Sequence, residues 1–129
     1  MLNDPLAAAM AKILNAEKVG KREVIIAPSS SLLKRVMSLL QDQNYVGMFE
    51  EFMDGNVAML RVNLLGNINR CGVIKPRFST KRLEYEKWEK RYLPARDFGV
   101  IVVSTPQGIM THLQAKERST GGKLLAYCY

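Results

Sequence analysis

The chain has 129 residues, 47% of them hydrophobic and 24% charged, and it carries a formal net charge of +7. That composition supplies a core for one globular domain or for two small lobes sharing an interface, so disorder is not the starting expectation. Apolar runs such as residues 24–27 and 100–103 fall far short of the roughly 20 residues of a membrane span, and no membrane partner is expected.

Asp4 before Pro5 predicts a helix start, because an Asp side chain accepts free N–H groups and Pro at the first helical position loses nothing. Leu6, Met10, Ile13 and Leu14 recur at helical spacing, and Gly20 supplies the stop. Residues 23–27 predict a short β-branched strand that ends at Pro28. Ser29, Ser30 and Ser31 offer N-caps to a second helix whose apolar face is Leu33, Val36, Met37 and Leu40, closed by Asn44. Residues 45–53 and 57–65 predict a hairpin around Asp54, Gly55 and Asn56. The first half thus reads α-β-α-β-β.

Gly66, Asn67 and Asn69 mark a change in composition, so two lobes are expected, 1–66 and 67–129. In the second lobe, residues 70–78 predict a strand with Pro76 near its edge or end. Residues 81–92, with Leu83, Tyr85, Trp88 and Tyr92, predict a short amphipathic helix. A strand over 98–104, a turn over 106–108 and a short return at Ile109 and Met110 follow. Thr111 with Gln114 fits a capping box for a helix running to about Ser119, after which Gly121 and Gly122 release the chain into a last strand over 123–129. The fold class is α+β, the second lobe mostly β with short helices.

Charge divides unevenly along the chain. Residues 1–66 hold seven basic and seven acidic residues, whereas residues 67–129 hold twelve basic against five acidic. The whole excess therefore lies in the second lobe, where it either attracts a polyanion such as nucleic acid or makes a solvated surface of high pI. Cys71 and Cys128 lack CxxC spacing and nearby His or Cys partners, which predicts two reduced, packed cysteines and no metal. The first residues do not form a secretory signal, and a cytoplasmic protein is expected. Ser104 and His112 suggest a hydrolytic pair only by proximity, without a G-x-S-x-G elbow or a third orienting group. No nucleotide-binding glycine motif is present, so neither an enzyme nor a cofactor is expected.

Residues 99–116, GVIVVSTPQGIMTHLQAK, resemble the C-terminal signature of the universal small-subunit ribosomal protein eight family. Gly99, Val102, Val103, Ser104, Thr105, Gly108, Ile109 and Met110 fill its defining positions in order, and Ala115 with Lys116 completes them. The similarity begins at Asp4-Pro5-Leu6-Ala7, continues through Pro28-Ser29-Ser30, and ends at Gly121-Gly122-Lys123-Leu124-Leu125. The runs Gly72-Val73-Ile74-Lys75-Pro76-Arg77-Phe78 and Leu93-Pro94-Ala95-Arg96-Asp97-Phe98-Gly99 look like the archaeal and eukaryotic branch. So does Lys123, where bacterial relatives usually carry Glu.

The resemblance implies a structural protein that binds a stem in the central domain of 16S-type rRNA, supports subunit assembly, and sits as a monomer beside neighbouring small-subunit proteins. Its implied RNA contact is the turn Ser104, Thr105, Pro106, Gln107 and Gly108. Short hydroxyl side chains there suit the shallow minor groove of A-form RNA, and Gly108 lets the backbone turn. Arg77, Arg96 and Lys123 can flank the turn with charge, while Phe78 either stacks on an unpaired base or packs in the core. Ser29 and Ser30 match family positions near the rRNA backbone or simply cap their helix, and Lys34 adds a charge one turn later. The alternatives are a basic protein adaptor, or repression of an mRNA through a matching stem.

Overall fold

The computed structural model describes residues 5–27, 29–75, 77–95 and 98–129. The chain is α+β and divides into two units, Met1–Arg70 and Cys71–Tyr129, each built around its own antiparallel sheet. In the first, α1 (Pro5–Lys18) buries Leu6, Ala9, Met10, Ile13 and Ala16, one stripe at helical spacing. Asp4 and Pro28, expected as helix start and strand stop, lie outside the described residues. Gly20 ends α1 as the sequence predicts. Its φ of +77° lets its N–H reach the Glu17 carbonyl (3.1 Å) while Lys21 N–H reaches that of Ala16 (3.0 Å).

After β1 (Glu23–Ile26), the Ser30 hydroxyl accepts from Leu33 N–H at 3.1 Å and caps α2 (Ser31–Asp42), which buries Leu33, Val36, Met37 and Leu40. Asn44 closes α2 in the left-handed region, with Tyr45 N–H on the Leu40 carbonyl at 2.9 Å. β2 (Val46–Asp54) and β3 (Val57–Leu64) form the expected hairpin, and the sheet order is β1-β3-β2. Gly66 and Asn67, where composition changes, stay tied to this unit: Gly66 N–H donates to Glu17 Oε1 (3.4 Å) and Asn67 Nδ2 to the Asn44 carbonyl (2.8 Å).

The second unit contains β4 (Cys71–Val73), β5 (Ser79–Thr80), α3 (Tyr85–Tyr92), β6 (Val100–Thr105), β7 (Gly108–Thr111), α4 (His112–Glu117) and β8 (Gly122–Cys128). β8 is the hub, with β4 and β5 along one side and β6, then β7, on the other. The single strand expected over 70–78 is two short ones. Both pair with β8, β4 opposite Ala126 to Cys128 and β5 opposite Gly122 and Lys123. Five residues separate Val73 from Ser79, whereas only two separate their partners Ala126 and Lys123 on β8, so the register slips between the two.

α3 starts later than the hydrophobic pattern suggests. Leu83 is 85% exposed and precedes the helix, whereas Tyr85 and Trp88 are buried. β6 begins at Val100 instead of Phe98, because Phe98 N–H closes a turn onto the Ala95 carbonyl (3.3 Å). The capping box at Thr111 and Gln114 is present, but Gly121 and Gly122 do not release α4. Ser119 does so in the left-handed region, with Thr120 N–H on the Ala115 carbonyl (3.0 Å). The two glycines serve β8 instead. A Cβ on Gly121 would collide with the Thr80 carbonyl, and one on Gly122 with that of Ser104. Cys71 and Cys128 are buried and directly opposite each other on β4 and β8.

The second unit's core gathers Ile74, Tyr85, Trp88, Ile101, Val103, Met110 and Leu124. Phe78, Trp88, Tyr92, Tyr127 and Tyr129 stack in series against it, neighbouring centroids 4.8 to 6.4 Å apart.

Candidate nucleic-acid interface

β6 and β7 pair Ser104 with Ile109 and Thr105 with Gly108, leaving Pro106 and Gln107 as an exposed two-residue turn. Thr105 is not the free hydroxyl the sequence suggested. Its Oγ1 donates to the Gly108 carbonyl (2.7 Å) and accepts from Gln107 N–H (3.2 Å), and the residue is buried. The hydroxyl therefore sets the turn's shape, while Ser104 stays half-exposed. Gly108 has a φ of +123° with nothing within 4 Å of a built Cβ, so the position requires glycine for its backbone angle and not for room.

β8 brings Lys123 beside this turn. Lys123 pairs with Ser104 on β6 and with Ser79 on β5, and directly opposed residues of an antiparallel ladder share a face. Ser79, Lys123 and Ser104 thus form one row across three strands. The row lies in a shallow concavity of about 490 Å³, completed by Thr80, Pro106, Gly121 and Gly122. No carboxylate is among these residues, and the two glycines leave bare backbone between the hydroxyls. Lys123 has no ion pair to any described residue. The surface offers hydroxyls that donate and accept, peptide groups at close range, and one cation.

Sequence reasoning missed Ser79 and Thr80. Their only local signal is a hydroxyl pair after Phe78, and the pairing that puts them beside Lys123 joins residues more than forty positions apart.

The remaining candidates are distributed differently. Arg77 is exposed. Phe78 has its ring stacked on Trp88 (4.8 Å, 25° between planes), with the Arg91 guanidinium 5.1 Å from its centroid. Phe78 is half-buried and packs against the core. Arg96 lies outside the described residues. In the first unit Ser30 caps α2, and Ser29 N–H donates to the Ala58 carbonyl (2.8 Å). Lys34 meets Glu51 at 3.5 Å, so its charge already has a partner. The Ser29 hydroxyl first, and then the Lys34 ammonium, hold the Glu51 carboxyl below the ordinary glutamate range.

His112 is buried with both ring nitrogens engaged. Nδ1 accepts from Ile101 N–H (3.1 Å), so Nε2 carries the proton and faces Glu89 Oε1 (3.1 Å), the oxygen that also meets Lys116. Burial, opposed by Glu89 and aided by Lys116, pushes the imidazole below its ordinary pKa. Neither nitrogen is available as a base for Ser104, which removes the geometric basis of the hydrolytic pair. Among the described residues no group of three or more His, Cys, Asp or Glu is placed to hold a metal ion. No helix of the described residues is long and apolar enough to cross a membrane.

The second unit thus presents a carboxylate-free, hydroxyl-lined concavity with one cation. The chain belongs to the Ribosomal protein S8 family, whose model matches residues 4–129. It is accordingly a small-subunit ribosomal protein of a structural, non-enzymatic family.

Proposed function

We propose that the chain binds a stem in the central domain of 16S-type rRNA directly through its second unit, and that this contact supports assembly of the small subunit. The row Ser79, Lys123 and Ser104, set on glycine-bared strands without a carboxylate, is the observation that carries this reading. A-form RNA has a wide, shallow minor groove lined by 2′-hydroxyls, which short hydroxyls and exposed peptide groups reach and long side chains overshoot. Lys123 then neutralises a phosphate beside the groove. Thr105 acts one step back, by holding the Pro106–Gln107 turn against Ser104.

The protein works as a cytoplasmic monomer among neighbouring small-subunit proteins. Lys123 and the two branch-like runs around Pro76 and Pro94 support the archaeal and eukaryotic branch. Titration of the full chain with a central-domain stem and with random duplex of equal length tests the reading. The stem binds more tightly, and affinity falls on the order of a thousandfold between about 50 and 200 mM salt if six phosphates are neutralised. Equal affinity for the two RNAs would overturn it.

A further inference from the structure

The first unit carries an open sheet edge beside a groove. In the order β1-β3-β2, β1 is outermost, and no described strand pairs with its far side. Leu64 N–H donates to the Arg22 carbonyl (2.8 Å), and the register continues with Val24 opposite Val62 and Ile26 opposite Leu60. Antiparallel ladders alternate, so Val24 and Ile26 direct their N–H and C=O groups to β3 while Glu23 and Ile25 direct theirs away from the sheet.

Edges of this kind are blunted by shortness, charged side chains, proline or a bulge, and β1, with four residues and an exposed Glu23, has only the first two. The other edge, β2, has a register irregularity between Val46 and Phe49, and it carries Glu50 and Glu51. β1, Glu-Val-Ile-Ile, has no lysine, no proline and no irregularity in its register. Its cations lie beside the strand instead. Lys12, Ala16 and Val19 of the α1 side, with Lys21, Glu23 and Ile25 of the β1 side, line a groove of about 550 Å³. Val19 is 70% exposed and Ile25 41%, an apolar lining that water solvates poorly.

We propose that this groove receives a short extended segment of a partner protein, alternating apolar and acidic side chains, which adds to β1 as a fourth strand. The outward peptide groups of Glu23 and Ile25 pair with the segment's backbone, Val19 and Ile25 cover its apolar side chains, and Lys12 and Lys21 meet its carboxylates. The four-residue length of β1 limits the pairing to a few bonds, so the contact is weak alone and suited to one strap among several in an assembly. Nucleic acid has no peptide ladder to match this edge, which favours a protein occupant.

The test uses the full chain with nitrogen-15 amides and three probes. These are a capped synthetic heptapeptide alternating valine with glutamate, its counterpart alternating valine with lysine, and a short RNA duplex. The valine–glutamate peptide is expected to slow hydrogen exchange at Glu23 and Ile25 amides and leave those of Val24 and Ile26 unchanged. Ile25→Pro removes one outward N–H and abolishes the effect. Combined Lys12→Glu and Lys21→Glu substitutions weaken that peptide about tenfold and favour the lysine peptide, a reversal of charge complementarity at an unaltered edge. If Ile25→Pro fails to fold, the charge-reversed chain decides alone. Unchanged exchange at Glu23 and Ile25 with about 1 mM peptide overturns the proposal. Equal response to both peptides, or a stronger response of the groove to the RNA duplex, does so as well.

Discussion

The two units use the same side-chain types to different ends. In the first, several hydroxyls and cations have internal tasks: Ser30 caps α2, Lys34 meets Glu51, and Arg61 bonds Glu50 at 3.0 Å while lying over the Phe52 ring. In the second, Ser79, Ser104 and Lys123 line up on one face with no acid beside them. Even there Thr105, next in sequence to Ser104, has its hydroxyl held inside the turn. A polar residue is available to a ligand only where the surrounding fold gives it no internal partner, and its residue type does not reveal which case applies.

Glycine substitution is the most severe way to probe this contrast. Gly122→Ala forces a Cβ into the Ser104 carbonyl and should cost about 2–4 kcal/mol in denaturant unfolding, with loss of RNA binding. Gly20→Ala has open space and meets only its positive φ, at about 1–2 kcal/mol. Equal losses would mean that the close strand approach at Gly122 relaxes to admit a methyl group.

The next effect is a pH dependence confined to the second unit. His112 has its pKa depressed by burial, so the unfolded chain binds a proton more readily than the folded one. This contribution is fully present above the ordinary histidine pKa near 6.5 and is lost as pH falls below it toward the depressed folded value. Glu89 faces the ring at Nε2, and Lys116 meets the same carboxylate oxygen. Thermal unfolding between pH 5 and 8 should show the decline in the parent chain and lack it in His112→Gln.

Thr105→Val should cost about 1–2 kcal/mol, because Gln107 N–H and the Gly108 carbonyl both lose a partner. Ser104→Ala should leave stability within about 0.5 kcal/mol while weakening the rRNA stem about tenfold. If Ser104→Ala proved the more destabilising, the roles assigned to the two hydroxyls would be reversed.

Smallest of all is the lysine comparison. Lys34→Ala removes a half-exposed ion pair worth under about 1 kcal/mol and leaves RNA affinity unchanged. Lys123→Ala leaves stability unchanged but lowers the slope of log affinity against log salt by about 0.9, for specific and random RNA alike. The same salt slope in both variants would break the division between units.

Much of the fold was legible in the residues. Gly20, Ser30, Asn44 and the Thr111–Gln114 box act within a few positions of their own place in the chain, so their chemistry can be read locally. Two features were not. Residues 70–78 read as one strand because both halves are β-like, and Gly121 with Gly122 as a helix stop because that is the commoner use of glycine after a helix.

The sequence by itself determined the caps at Ser30 and Thr111, the stops at Gly20 and Asn44, that the charge excess lies in the second half, and which family signature begins at Gly99. Only the tertiary structure decided that β8 is the hub, that Ser79 meets Lys123, that Thr105 turns inward, and that His112 answers to Glu89. The physical reason is range. A cap or turn is settled by bonds spanning three to five residues, whereas strand register is settled by pairing between distant segments, and no single residue carries it.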